Sequence, residues 1–139
     1  MSMKIYTTHH LIKSAELNHH GTLYAGLTAE WFVESGFVAA AALTRPENIL
    51  CLKIHGMLFT KPVEKGTVVR FESRVCLTGK SRIISYIQMF AHEEPVLEGF
   101  ITFVNSDEQH KPLPHGIIIT AETPEEQTLQ ERAKALSLD

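Results

Sequence analysis

Glu30 and Glu34 stand four residues apart and carry the only formal charges between Leu23 and Leu43. Residues at that spacing share one face of a helix, and an unpaired carboxylate on an apolar helix is expensive. Such a group either meets a Lys or Arg at a subunit boundary or does chemistry, and a carboxylate can activate water or attack an electrophile itself. Backbone N–H groups at the start of the same helix can receive the negative charge that such an attack develops. Gly21 and Gly26 suit a turn or the close approach of a ligand to the backbone. Asn18, taken alone, is a turn or cap residue.

The remaining candidates carry less. His19 and His20 are adjacent, and no HxxxH or CxxC accompanies them, so no metal site is expected. His20 fits a support for its own loop or for an opposing subunit. His9, His10, His55, His92, His110 and His115 read as ordinary surface or interface residues. Lys61, Lys80, Ser81 and Arg82 lie in or beside turns, where solvated side chains are common.

The elements that must position these groups follow from pattern. Met3 to Ile12 contains Ile5, Tyr6, Thr7 and Thr8 and predicts a strand. Leu23 to Leu43 has no Pro and is apolar on nearly every face, which predicts a long buried helix ended at Arg45-Pro46-Glu47-Asn48. Ile49–Phe59, Thr67–Leu77, Arg82–Ala91 and Val96–Val104 read as strands rich in Val, Ile, Phe and Thr. Lys61–Gly66, Thr78–Lys80 and His92–Pro95 separate them at hairpin-like lengths and predict an antiparallel meander. Residues 106–122 read as a loop. Thr123, Pro124 and Glu126 form a capping signature for a C-terminal surface helix over 123–137.

The expected class is therefore α+β, one domain over residues 1–139, with a helix on an antiparallel sheet. One sheet cannot cover such a helix, so two subunits are expected to pack about a two-fold axis. A net charge of -3 argues against nucleic acid. Cys51 and Cys76 form no disulfide framework, and no signal peptide or membrane span is evident, so the expected compartment is the cytoplasm, without membrane contact.

Several motifs, in order, resemble the acyl-CoA hydrolase branch of the hotdog thioesterases. Glu16-Leu17-Asn18-His19-His20-Gly21 and Tyr24-Ala25-Gly26 resemble its acidic-x-Asn-x-x-Gly segment and glycine pair. Phe59-Thr60-Lys61-Pro62-Val63-Glu64-Lys65-Gly66-Thr67-Val68-Val69 resembles its Pro-Val stretch, and Thr78-Gly79-Lys80-Ser81 its turn. Glu98–Val104 resembles the closing strand and Lys111–Pro114 the tail, so the likeness spans Leu11 to Pro114.

The resemblance implies a hotdog fold, an antiparallel sheet wrapped around a long helix, and hydrolysis of acyl-CoA to a carboxylic acid and free CoA. No cofactor is implied beyond the coenzyme A of the substrate. It implies a homo-oligomer built from dimers, a tetramer or a hexamer, with the Asn18 loop of one subunit facing the helix carboxylate of its partner. Two departures stand out. Val33 occupies the family's usual carboxylate position, seven residues after Gly26, and Ala25 replaces the first glycine of the pair. In other hotdog thioesterases the carboxylate lies eight residues beyond the glycine that lends its N–H to the carbonyl, and Gly26 to Glu34 has that spacing. Glu34 is then the base or nucleophile, with Glu30 one turn earlier as the other candidate, Gly26 the oxyanion donor, and Asn18 and His20 in the catalytic loop. Lys61, Lys80, Ser81 and Arg82 would approach the coenzyme A phosphates. Two other readings are a non-catalytic acyl-CoA sensor, motivated by Val33, and an acyl-thioester hydratase or dehydratase.

Overall fold

The computed structural model describes residues 1–138. The apolar stretch forms helix α1, Ala25–Ala41, and the extended segments form β1 (Tyr6–Leu11), β2 (Ile49–Ile54), β3 (Val68–Thr78), β4 (Arg82–Ala91) and β5 (Glu94–Asn105). A second helix, α2, spans Pro124–Lys134. The strands make one antiparallel sheet in the order β1-β3-β4-β5-β2, so the architecture is the expected α+β one.

The order corrects the predicted meander at one step. β3, β4 and β5 are joined as hairpins, but β2 crosses to the far edge and pairs with β5, so Lys61–Gly66 is no hairpin turn. β2 also stops at Ile54 instead of Phe59. Gly56, at φ +116, turns the chain out of regular pairing, and residues 55–63 run on as an arm along β5 through His55 N–H to Phe100 O and Thr60 N–H to Val96 O. The β4–β5 turn is tighter than the sequence suggests. His92 and Glu93 both adopt positive φ (53 and 62), as a two-residue turn matched to strand twist requires.

α1 lies on β3 and β4 through a stripe of Thr28, Phe32, Ser35, Gly36, Ala39 and Ala40, all buried. Small residues let the helix come close. A methyl group at Gly36 would stand 2.9 Å from Ile87 Cδ1. Two buried serines tie the layers together, Ser73 Oγ donating to Ser35 O at 2.7 Å and Ser85 Oγ to Gly36 O at 2.8 Å. Fully buried Phe32 alone contributes roughly 1.5–3 kcal/mol of apolar transfer.

The sheet covers only one side of α1, as expected for a single chain. Glu30, Glu34 and Val38 are exposed on the side away from the sheet, with Leu27, Phe37 and Ala41 only partly covered beside them. Edge strand β2 adds Leu52 and Ile54, 50% and 40% exposed. The apolar surface on which the sequence argument for a second subunit rested is therefore present.

α2 packs on the opposite face of the sheet through Leu129 and Ala133. Its first turn is capped as the sequence predicts, Glu126 N–H donating to Thr123 Oγ1 at 3.1 Å. Its last turn is tied to the sheet by Arg132, which pairs with Glu98, the carboxylate that also accepts from Tyr86 Oη. Burial and that carboxylate push the Tyr86 phenol up to about 12. No helix among the described residues is long and apolar enough to cross a membrane.

Candidate active site

The segment between β1 and α1 is stapled to one end of the sheet. Ile12 N–H donates to Thr67 O, Gly66 N–H to Ile12 O, and Leu23 N–H to Val63 O. Within it Asn18 organises a tight loop. Its Oδ1 accepts from His20 N–H at 2.8 Å and Thr22 N–H at 3.2 Å, and its Nδ2 donates to Thr22 Oγ1 at 3.1 Å. Gly21 completes the loop at φ +81, a conformation that costs a glycine little.

Asn18 also faces a pocket of about 230 Å³ between the loop, the start of α1, the 55–63 arm and the ends of β4 and β5. Ala25 and Thr28 of α1 and Thr60 and Lys61 of the arm line it with Asn18, and Leu23, Met89 and Leu97 are among its apolar walls. The first hydrogen bonds of α1 are Leu27 and Thr28 N–H to Tyr24 O, which leaves the Ala25 and Gly26 N–H groups without an acceptor among the described residues. A lining that combines polar donors with hydrocarbon suits a carbonyl compound with an apolar tail.

Gly26 is not in that pocket. It lines a second one, about 360 Å³, with Glu16, Tyr24 and Glu30. The Tyr24 ring folds over Gly26 so closely that a Cβ there would lie 2.5 Å from Tyr24 Cε2. Ala25, at the place of the family's first glycine, is thus the first-turn residue beside Asn18.

Glu34 is exposed on the outward face of α1. From Thr28 to Glu34 the helix climbs about 9 Å and turns about 120° away from the pocket. One chain therefore does not bring Asn18 and Glu34 together. His10 of β1 lies within the electrostatic reach of Glu34, its ring stacked on Trp31, about one helical turn from Glu34, at 4.0 Å and 7°. Burial lowers the His10 pKa from 6.5, opposed chiefly by the Glu34 charge. The sequence analysis passed His10 over. Its two-residue spacing from Tyr6 and Thr8, which puts all three on the half-buried face of β1, was the available signal.

Val33 is partly buried and packs against the core, so a hydrophobic contact stands where the family pattern has its carboxylate. His20 is exposed, with its ring against His19 at 4.0 Å. Among the described residues no group of three or more His, Cys, Asp or Glu gathers as a metal site would require. Lys61 stands at the pocket but is held by Glu94 at 2.6 Å, and the ammonium keeps the Glu94 carboxyl below its usual range. Lys80, Ser81 and Arg82 form the β3–β4 turn at the other end of the sheet, where Lys80 O accepts from His115 N–H and Ser81 O from Asn105 N–H. The length of β4 between Arg82 and Met89 separates that turn from the pocket by about 24 Å.

No protein-family model matches the chain. It is 24% identical over 115 residues to the cytosolic acyl coenzyme A thioester hydrolase of Rattus norvegicus, a match that takes in 76% of this chain and 29% of that protein. The chain spans under a third of the length of that relative. Among solved structures it superposes on an apo-hexameric acyl-CoA thioesterase with a TM-score of 0.86 at 23% identity, covering 94% of this chain and 86% of the other. The acyl-CoA hydrolase of Staphylococcus aureus, solved in complex with butyryl coenzyme A, coenzyme A and coenzyme A disulfide, gives 0.85 at 19% identity over 96% and 83%. The acyl-CoA hydrolase of Bacillus cereus gives 0.86 at 21% over 94% and 82%. These likenesses show that the chain has the hotdog fold its motifs suggest.

Proposed function

We propose that the chain hydrolyses acyl-CoA thioesters, releasing a carboxylic acid and free coenzyme A, as a homo-oligomer built from two-fold dimers. The observation that carries the reading is the Asn18 pocket. It joins an amide, the unpaired Ala25 N–H and an apolar recess in a fold whose named neighbours are acyl-CoA thioesterases and hydrolases. The hexameric neighbour and the exposed apolar side chains Val38 of α1 and Leu52 and Ile54 of β2 both support an oligomer.

In this reading the thioester carbonyl lies over the start of α1, where the Ala25 N–H and the helix dipole favour charge on its oxygen. Glu34 of the partner subunit takes a proton from water, the water oxygen bonds to the carbonyl carbon, and the C–S bond breaks. The thiolate leaves with that proton. The nucleophilic variant has Glu34 attack first and water cleave the mixed anhydride. Lys61, and Lys80, Ser81 and Arg82 contributed from another subunit, serve the coenzyme A phosphates. Val33 favours a second reading, a sensor that binds acyl-CoA without turning it over.

The test is free-thiol release from a panel of acyl-CoAs by wild type, Glu34→Gln and Glu30→Gln. Glu34→Gln is expected to lower kcat by about 10²–10⁴-fold and Glu30→Gln to leave it within a few fold. Binding of thioesters without thiol release by wild type would replace hydrolysis with the sensor.

A further inference from the structure

The Asn18 pocket also limits what it can hold. Its apolar walls come from four separate segments: Leu23 of the loop, Val63 of the arm, Met89 of β4, and Val96 and Leu97 of β5. All five are buried, Met89 at 1% exposure, and belong to the same packed core, so the walls do not yield easily. Phe59, 47% exposed, forms the rim. The buried walls carry no charge. The one ionic side chain of the lining, Lys61, is 54% exposed, pairs with Glu94 and is the group assigned to the coenzyme A phosphates, and Thr60 Oγ1 donates to Val96 O at 2.9 Å. An acyl tail ending in a carboxylate or ammonium would find no partner there, and burying it would be costly.

Size follows from volume. A dry apolar cavity of about 150 Å³ takes up benzene, a six-carbon ring. At about 230 Å³ this recess is roughly half as large again. It can enclose a phenyl ring or a folded chain of about six to eight carbons, and a fatty chain twice that length would run on beyond its walls.

We propose that the site selects compact, uncharged acyl groups, aliphatic tails of about six carbons or a single aryl ring, over long fatty chains. This rests on the hydrolase reading for its activity assay but not for its binding assay. Selection comes from the buried apolar walls, Met89 and Leu97 among them, so the residues that set chain length differ from those that do the chemistry.

The experiment measures thiol release by the 139-residue chain from hexanoyl-CoA, phenylacetyl-CoA and palmitoyl-CoA, the last below its micellar concentration, alongside Leu97→Ala and the milder Leu97→Val. Wild type is expected to show at least a ten-fold higher kcat/KM for the two compact substrates. The Leu97 variants should narrow that ratio several fold. Equal or better turnover of palmitoyl-CoA by wild type overturns the proposal. Should no thioester be cleaved, the hydrolase reading fails by itself, and thermal shifts with the same thioesters decide the pocket. A larger shift from hexanoyl-CoA than from free coenzyme A or palmitoyl-CoA supports it; equal shifts overturn it.

Discussion

The imidazole of His10 lies flat against the indole of Trp31, with ring centroids 4.0 Å apart and planes 7° apart, and both rings meet Phe71 edge-on. A cationic imidazole in that stack loses hydration, which is why burial dominates its lowered pKa. Glu34 and Glu16 pull the other way, and Lys13 and His9 add to the lowering. His55 is lowered too, by burial and by Lys53.

Both shifts have the same sign for stability. In the unfolded chain these groups titrate near the ordinary histidine value of 6.5, and in the folded chain below it. As pH falls through 6.5 the unfolded state takes up protons first, so stability present above that pH is lost on acidification. The melting temperature should drop between pH 7.5 and 5.5, and His10→Phe combined with His55→Gln should flatten the drop. An undiminished drop in the double variant would remove these two histidines as the cause.

Gly99 gives a second prediction, because it sits where three segments converge. A Cβ there would stand 2.7 Å from Gly56 O and 3.0 Å from Phe32 Cζ, and the first is backbone that cannot rotate away. Gly99→Ala should cost about 1–3 kcal/mol in chemical denaturation. The arm displaced with Gly56 carries Thr60 and Lys61 to the pocket, so thiol release should fall as well. Gly36→Ala is the control. It meets side chains and no backbone, Ile87 Cδ1 at 2.9 Å and Ile101 Cδ1 at 3.3 Å, and better helix propensity offsets part of the strain, so it should cost less than Gly99→Ala. Equal costs for the two would refute this account of Gly99.

How much of this was legible in the sequence depends on range. α1, β4 and the capped start of α2 follow from local signals: an apolar run without Pro, an alternating run between turn residues, and Thr123-Pro124 with Glu126. The partner of β2 did not, because Lys61–Gly66 looks like a hairpin turn and only the crossover of β2 to β5 shows otherwise. Likewise the motif pointed to the Asn18 loop, and the pocket is there. The separation of Gly26 from Asn18 depends on which side of α1 each residue faces and on the Tyr24 ring folding over the helix start. Val33 and Glu34 are adjacent in sequence, yet one packs toward the core and the other faces out.

Asn18 can be a turn residue, a catalytic-loop residue, or both, and two substitutions separate the roles. Asn18→Ala removes the acceptor for His20 and Thr22 N–H, so it should destabilise the chain by about 1 kcal/mol and also lower thiol release. Asn18→Asp keeps an oxygen acceptor for both N–H groups and lets Thr22 Oγ1 donate to it, so folding should change by no more than about 0.5 kcal/mol. It loses the amide N–H and puts a negative charge beside the place where the carbonyl oxygen gains one. If the amide faces the thioester, Asn18→Asp therefore loses activity as fully as Asn18→Ala while keeping its stability. Denaturation midpoints and kcat/KM measured on the two variants decide between the roles. Near wild-type turnover by Asn18→Asp would reduce Asn18 to the loop it closes, and leave the Ala25 N–H as the pocket's polar contact to the substrate carbonyl.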